Sequence, residues 1–375
     1  MRNDRRLRLS MAGPALLMSA ALVACGGGEG GAAAGGAAGS TAAATAAAGR
    51  SATGDGGPLV YVSNEDTQTM TVIDPRTDSV LETVVVGKRP RGIHLGPASK
   101  YIFVAVSGAP KGGPGVDESK LPPADTTKDG IAMIDASTLK VVRTLPGGLD
   151  PENFAVSPDG KMLYVSDENG GTVGVTDVTT GKLITKVPVG SEPEGVGVTP
   201  DGSEVWVTSE GKAEVYVLDS KTNRVKTTIR VGKRPRSVAF LPDGSRAYVP
   251  GEVGGNVSVV DVKSHKVLKT IPIPAAIKGK PAKPMGSVVS PDGSMVYISN
   301  GRGGTVSVIN TGTNTVVATF AVGTRPWGIG ISADGKTLYT ANGPSNDVSV
   351  IDAATHRVVK KIPAGGSPWG IAISK

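Results

Sequence analysis

The stretch RPWGIGISADGKTLYTANGPSNDVSVIDAATHRVVKKIPAG, residues 325–365, contains four short runs of strand-forming residues separated by turn residues. Ala-Asp-Gly-Lys at 333–336 predicts a tight hairpin turn, because Gly accepts the positive φ that a larger side chain resists. The stretch therefore predicts one four-stranded antiparallel sheet. Its strands are predicted as A (327–332), B (337–341), C (347–352) and D (357–363).

Three landmarks of this unit occur seven times each along the chain. The first is a proline at the start of strand A: Pro90, Pro151, Pro193, Pro235, Pro284, Pro326 and Pro368. The second is an aromatic residue that opens strand B: Tyr61, Tyr101, Tyr164, Trp206, Tyr248, Tyr297 and Tyr339. The third is an acid or amide at the end of strand C: Asp74, Asp135, Asp177, Asp219, Asp261, Asn310 and Asp352. Insertions at 107–128 and 273–283 lengthen two intervals. Seven such sheets predict an all-β protein, a seven-bladed β-propeller of four-stranded antiparallel blades.

The two ends of the repeat region complement each other. The first repeat begins with a B strand at 59–63 and lacks an A strand, whereas 368–374 is an A strand that lacks its B strand. We expect the C-terminal strand to join the N-terminal strands in one blade, because this closure removes the exposed sheet edges of an open array.

The segment before the repeats predicts a membrane-anchored protein. Residues 1–24 have a basic start followed by an apolar run that is too short to span a membrane comfortably, as in a signal peptide. Leu-Val-Ala-Cys at 22–25 resembles the bacterial lipobox, in which the chain is cut before the Cys and its thiol is lipidated. Cys25, the only Cys, is therefore the predicted lipidation site, and an ordinary signal peptide with an incidental Cys is the alternative. Residues 25–57 predict a Gly/Ala-rich flexible linker, and 58–375 the propeller.

The strand starts at 61–64, 164–167, 297–300 and 339–342 (YVSN, YVSD, YISN and YTAN) resemble the YVTN β-propeller repeat family. The resemblance extends over residues 59–375. That family includes surface-layer and periplasmic proteins, and relatives near quinoprotein dehydrogenase pathways. It carries no shared catalytic constellation, so the resemblance implies a fold and a periplasmic or cell-surface location rather than an activity.

A candidate binding site follows from the predicted geometry. Strand A is innermost in a propeller blade, so the residues beside the landmark prolines should surround the mouth of the central channel, on the face that also carries both insertions. These flanking residues vary between blades, whereas the Pro-Asp-Gly turns repeat. We expect them to bind a polar ligand or an extended segment of a partner protein, because Arg grips carboxylate or phosphate and Trp stacks on an apolar part. The predicted site residues are Arg89, Arg91, Glu152, Glu194, Arg234, Arg236, Arg325, Trp327 and Trp369.

Several alternatives remain open. The charges could merely pair with each other, Arg91 with Glu152 and Glu194 with Arg236. A lactonase-like hydrolase would need a general base or a metal in the mouth, for which Glu152, Glu194 or His94 are the candidates. An accessory protein of a quinoprotein pathway is a further alternative. A nucleic-acid binder is disfavoured by the acidic arc between the arginines, and the net charge of +7 is mild. The main interpretation is a membrane-tethered, non-catalytic binding module.

The sequence predicts neither a metal nor a cofactor. The histidines His94, His265 and His356 fall in different parts of the repeat, and the only Cys is at the lipobox, so four ligands do not converge. Residues 177–182 (DVTTGK) look like a quinoprotein docking repeat but lack the tryptophan that such repeats require nearby. His94 occupies a position where other repeats carry Ala or Gly, so it either faces the channel or packs in the core.

Overall fold

A computed structural model describes residues 57–112 and 116–375. The predicted signal peptide, Cys25 and almost all of the predicted linker lie outside these residues. The described residues form 28 strands and three short 3-10 turns. None of their helices is long and apolar enough to cross a membrane.

In chain order, the strands are β1 (Val60–Asn64), β2 (Thr69–Asp74), β3 (Ser79–Val85), β4 (Ile93–Leu95), β5 (Tyr101–Val106), β6 (Gly130–Asp135), β7 (Lys140–Leu145), β8 (Pro151–Val156), β9 (Met162–Asp167), β10 (Thr172–Asp177), β11 (Leu183–Pro188), β12 (Pro193–Val198), β13 (Glu204–Ser209), β14 (Glu214–Asp219), β15 (Arg224–Arg230), β16 (Ala239–Phe240), β17 (Arg246–Gly251), β18 (Asn256–Asp261), β19 (Lys266–Pro272), β20 (Pro284–Val289), β21 (Met295–Asn300), β22 (Thr305–Asn310), β23 (Thr315–Ala321), β24 (Pro326–Ile331), β25 (Thr337–Asn342), β26 (Asp347–Asp352), β27 (Arg357–Pro363) and β28 (Pro368–Ile373).

These strands form seven antiparallel sheets of four strands each, which confirms the predicted seven-bladed β-propeller. Blade 1 has the order β28-β1-β2-β3, and blades 2 to 7 follow as consecutive sets of four from β4–β7 to β24–β27. In the repeat at 325–365, the C and D strands have the predicted bounds. Strand A begins and ends one residue earlier, at Pro326 and Ile331, and strand B extends to Asn342.

The predicted closure of the ring is confirmed. Strand β28 pairs antiparallel with β1, with Tyr61 opposite Ala372 and Val62 opposite Ile371. Beyond the strands, the Leu59 amide donates to Ser374 Oγ at 2.7 Å. Blade 1 is therefore built from both ends of the repeat region.

The hydrophobic core lies in layers between neighbouring blades. Val60 and Val62 of blade 1, for example, pack in one buried cluster with Tyr339 and Val348 of blade 7. The outermost strands face solvent, and Val85 in β3 is 71% exposed. Because each layer joins two blades, the stability of one blade depends on its neighbours.

One predicted landmark is wrong. The aromatic residue of blade 2 that corresponds to Tyr164 of blade 3 is Phe103 rather than Tyr101. Phe103 pairs with His94 across β4 and β5, as Tyr164 pairs with Ala155 across β8 and β9. Phe103 is buried, whereas Tyr101 is only half-buried at the start of its strand. The repeat position is defined by its burial between blades, and an aromatic residue two positions away does not fill it.

Candidate functional site at the mouth of the central channel

A layer of seven side chains surrounds the channel, one from each blade, directly after the landmark prolines. These residues are Arg91, Glu152, Glu194, Arg236, Met285, Trp327 and Trp369. On the loop side of the layer lies a cavity of about 550 Å³, and a smaller one of about 150 Å³ lies deeper in the channel. Arg236 and the two Trp side chains line both cavities. The layer thus separates the outer cavity, called here the mouth, from the channel below.

The residue before each landmark proline has the same unusual backbone conformation in all seven blades. Its φ is positive in every case: Arg89 42°, Asp150 48°, Glu192 51°, Arg234 57°, Lys283 57°, Arg325 52° and Ser367 55°. A left-handed conformation costs a residue other than Gly about 1 kcal/mol or more. No β-branched residue occurs among the seven, which is the one signal of this conformation in the sequence.

The structure brings the predicted site residues together. The mouth is lined by Arg89, Arg91, Glu152, Arg234, Arg236, Arg325, Trp327 and Trp369, and Glu194 lines the deeper cavity. Residues 109–112, 121, 122 and 124 of the insertion at 107–128 also line the mouth, and Lys111 pairs with Glu65 at 3.0 Å. The insertion at 273–283 contributes no residue to either cavity.

Four glutamates that sequence analysis missed lie directly beyond the B strands. They are Glu65, Glu168, Glu210 and Glu252. Each follows four residues after the aromatic landmark of its blade, so a comparison of the repeats at that position would have found them. They supply most of the carboxylates that meet the predicted arginines.

Arg236 lies between two glutamates of blade 4. Its guanidinium contacts both Glu194 and Glu210, and its Nε lies 3.3 Å from Glu252. Burial raises the pKa of Glu194 well above its ordinary value, although the Arg236 charge opposes this shift. Burial alone would raise the pKa of Glu210 too, but the hydrogen bond from Glu194 and the Arg236 charge lower it. The predicted Glu194–Arg236 pairing is therefore present.

Arg91 has the corresponding position beside blade 3. It contacts Asp150 and lies 3.5 Å from Glu152 and 3.8 Å from Glu168. Burial, followed by the neighbouring Glu152 charge, raises the pKa of Glu168 to about 8. Arg89 completes this side by pairing with Glu65 at 3.1 Å. The internal pairing that sequence analysis left open as an alternative thus occurs on both flanks of the acidic arc.

The opposite side of the mouth differs. Within the described residues, Arg302 and Arg325 form no ion pair. Arg325 lies over the ring of Trp327, 4.6 Å from its centroid, and Trp327 stacks on Trp369 at 5.9 Å. Burial lowers the pKa of Arg325, and the nearby Arg302 charge lowers it further. Arg302 was not predicted, because it lies in a B–C loop rather than beside a proline.

Across the part of the chain that the structure describes, the indole N–H groups at the mouth also lack hydrogen-bond acceptors. Trp206, which is buried elsewhere, donates its Nε1–H to Glu204 at 3.0 Å. Among the described residues, neither Trp327 nor Trp369 has such an acceptor. This side of the mouth therefore combines two unpaired cations with two unused N–H donors, a set that suits an anion.

His94 both faces the channel and packs against its wall. It lines the deeper cavity, donates from Nε2 to Asn153 Oδ1 at 3.1 Å and meets the Phe154 ring edge-on at 4.9 Å. Asn153 Oδ1 also accepts the Phe154 amide hydrogen, so it is the acceptor for His94. Burial lowers the pKa of His94, which keeps the ring neutral. In residues 57–112 and 116–375, no cluster of His, Cys, Asp and Glu could hold a metal ion.

Comparisons with known proteins support the fold. Residues 186–362, somewhat less than half of the chain, match the model of the family "Lactonase, 7-bladed beta-propeller". The seven-bladed beta-propeller protein Rv1057 of Mycobacterium tuberculosis is 30% identical over 110 residues, which span 29% of this chain but only 24% of that protein. The structure is similar to a candidate 6-phosphogluconolactonase from Bacteroides uniformis (TM-score 0.69, 17% identity, 84% of this chain and 99% of that one). It is also similar to hydrazine synthase from Kuenenia stuttgartiensis (TM-score 0.64, 20% identity, 76% and 89%).

Proposed function

We propose that the protein is a non-catalytic binding module whose channel mouth holds a small anionic ligand. The observation that carries this proposal is that Arg302 and Arg325 line the mouth without a carboxylate partner among the described residues. The other arginines of the mouth are occupied by Glu65, Asp150, Glu194, Glu210 and Glu252. A guanidinium in a partly buried cavity is stabilised by an anion that neutralises it, so the ligand supplies what the protein lacks.

Tryptophan fluorescence tests the proposal directly. The chain has three Trp residues, of which two lie at the mouth and the third, Trp206, is fully buried. With each quencher scaled to its effect on free tryptophan amide, iodide should quench the two half-buried indoles at the mouth more strongly than caesium does, by about twofold or more, because an unpaired positive charge concentrates anions. The excess should disappear in the Arg302→Gln/Arg325→Gln protein.

Arg357→Gln is the matched control. Arg357 lies in β27, the outer strand of the blade that also carries Arg325, and it is exposed. Its loss changes the net charge without altering the mouth. Equal quenching by iodide and caesium in the wild type would refute anion binding at the mouth.

A lactonase-like hydrolase is the second candidate, and the family match at 186–362 favours it. Glu168 and Glu152 would be its acid and base, since Glu168, with a pKa raised to about 8, can hold a proton at neutral pH beside Glu152. A lactone-hydrolysis screen with and without divalent metals decides between the two functions. If the wild type hydrolyses a lactone and Glu152→Gln abolishes that activity, the protein is an enzyme. If the wild type hydrolyses no lactone, the binding module remains the proposed function.

Attachment to a bacterial membrane through a lipid on Cys25 is part of the proposal. Its support is the basic and apolar start of the chain and the lipobox-like residues at 22–25. The wild type should appear in the membrane fraction of bacterial cells, and Cys25→Ser should not. Equal distribution of the two proteins would refute the anchor.

A further inference from the structure

Five residues occupy the same backbone position, directly beyond the B strands of five blades. Each donates its amide hydrogen to the carbonyl of the residue before the landmark proline in its own blade: Glu65 to Ser367 (3.0 Å), Glu210 to Glu192 (3.0 Å), Glu252 to Arg234 (2.9 Å), Gly301 to Lys283 (2.9 Å) and Gly343 to Arg325 (3.4 Å). Three of these blades place a glutamate here, and blades 6 and 7 place a glycine. Of the two glycines, only Gly301 is followed in the next blade by an arginine before the landmark proline, because that position is Arg325 in blade 7 and Ser367 in blade 1.

The glutamates of blades 1 and 4 bind an arginine of the next blade. Glu65 of blade 1 pairs with Arg89 of blade 2 at 3.1 Å, and Glu210 of blade 4 pairs with Arg234 of blade 5 at 2.5 Å. Both arginines directly precede their landmark prolines. Arg325 has that position in blade 7, and the residue that would correspond to its glutamate is Gly301 of blade 6.

We infer that the ligand is a carboxylic acid whose carboxylate takes the place of the missing glutamate side chain above Gly301. The inference rests on the proposed function and names the ligand class. The carboxylate would pair with Arg325 as Glu65 pairs with Arg89, in a geometry that the ring already uses twice. Arg302, the next residue after Gly301, adds a second positive charge to the same place.

The surroundings of this position determine the rest of the ligand. A Cβ atom at Gly301 would meet the sulfur of Met285, and Met285 is the single member of the seven-residue layer that is neither charged nor aromatic. Trp327 adjoins it in the layer, with Trp369 stacked on Trp327. The body of the acid therefore lies against the stacked indoles of Trp327 and Trp369, which line the mouth. This favours a compact apolar or aromatic group.

Calorimetric titration of the full chain with benzoate, acetate and inorganic phosphate tests the inference. Benzoate should bind more tightly than acetate or phosphate. Gly301→Glu should weaken benzoate at least about tenfold, because its own carboxylate would pair with Arg325. Gly301→Gln has nearly the same shape without the charge, and should weaken benzoate by less than about threefold. The backbone at Gly301 lies outside the left-handed region, so both substitutions need only a shift of Met285.

Each outcome decides the matter. Equal losses in Gly301→Glu and Gly301→Gln would overturn the inference in favour of simple crowding. If phosphate binds as tightly as benzoate, the inference that the ligand is a carboxylic acid is overturned, but anion binding at the mouth stands. If none of the three anions binds, both the inference and the proposed anion binding are overturned. Should Gly301→Glu fail to fold, Arg325→Gln must lose benzoate and Arg357→Gln must keep it; retention in Arg325→Gln overturns the inference.

Discussion

Arg325 and Arg89 have the same repeat position but opposite environments. Arg89 is occupied by Glu65, whereas the equivalent partner of Arg325 is absent because position 301 is a glycine. Sequence analysis placed both arginines at the mouth, since both flank a landmark proline. It could not separate them, because whether an arginine is paired depends on a residue of the preceding blade that lies more than twenty positions away in the chain.

The two arginines of blade 5 should differ sharply in their effect on stability. The side chain of Arg236 is 8% exposed and neutralises a buried glutamate pair, whereas that of Arg234 is 47% exposed. Arg236→Ala should therefore lower the free energy of unfolding by about 3 kcal/mol, as expected when a buried charge loses its partner. Arg234→Ala should cost less than about 1 kcal/mol. Urea denaturation of both variants measures the difference, and similar losses would show that Arg236 is not needed to neutralise blade 4.

Glu168 should make stability depend on pH. Its pKa is about 8 in the folded protein, against an ordinary value of 4.5, because of burial and then of the charges on Glu152 and Asp150, which Arg91 opposes. The stabilising contribution of its proton is fully present below about pH 4.5 and is lost as pH rises to about 8, because only the unfolded chain ionises in that range. Glu168→Gln, which cannot ionise, should lose less stability than the wild type between pH 5 and 8 in urea titrations. Parallel pH profiles would contradict the raised pKa.

Strand β28 is the element on which the ring depends. It supplies the innermost strand of blade 1, and its Ile371 and Ile373 pack on the cluster that joins blades 1 and 7. The repeat count predicted this element correctly, since an unpaired B strand near one end and an unpaired A strand near the other complete each other. Strand B of blade 2, β5, was harder to align, because Tyr101 lies two residues before Phe103, which occupies the landmark position.

Proline substitutions should distinguish an inner strand from an outer one. Ile371→Pro would place a ring where β28 pairs with Val62 of β1, and should cost about 3 kcal/mol or more. Val359 lies in outer strand β27 at a register shift, has no partner opposite it and is 62% exposed, so Val359→Pro should cost much less. Thermal unfolding measures both. Comparable losses in the two variants would contradict the role of β28 in closing the ring.

At the scale of the whole molecule, the repeated sequence pattern determines the fold. The candidate site is formed by residues that differ from one repeat to the next. Seven copies of one pattern predict the blades, the faces and the ring of variable residues, because each depends on local spacing. The four glutamates beyond the B strands and Arg302 escaped notice because they do not flank a proline. The left-handed backbone before each proline escaped because the residues at that position share no sequence signal beyond the absence of β-branched side chains.

The charges of the mouth are arranged asymmetrically around the ring. Blades 3 and 4 present carboxyl groups that arginines of blades 2 and 5 neutralise, whereas blades 6 and 7 present Arg302 and Arg325 beside the stacked Trp pair. A ligand with negative charge should therefore settle on one side of the mouth rather than on the channel axis.

Anomalous diffraction from a crystal grown in bromide tests this account most directly, because it locates an anion without assuming the natural ligand. The account predicts a bromide peak beside the guanidinium groups of Arg302 and Arg325, above Gly301, in the wild type and no such peak in Gly301→Glu. Bromide bound only at exposed lysines of the outer strands, with an empty mouth, would contradict it.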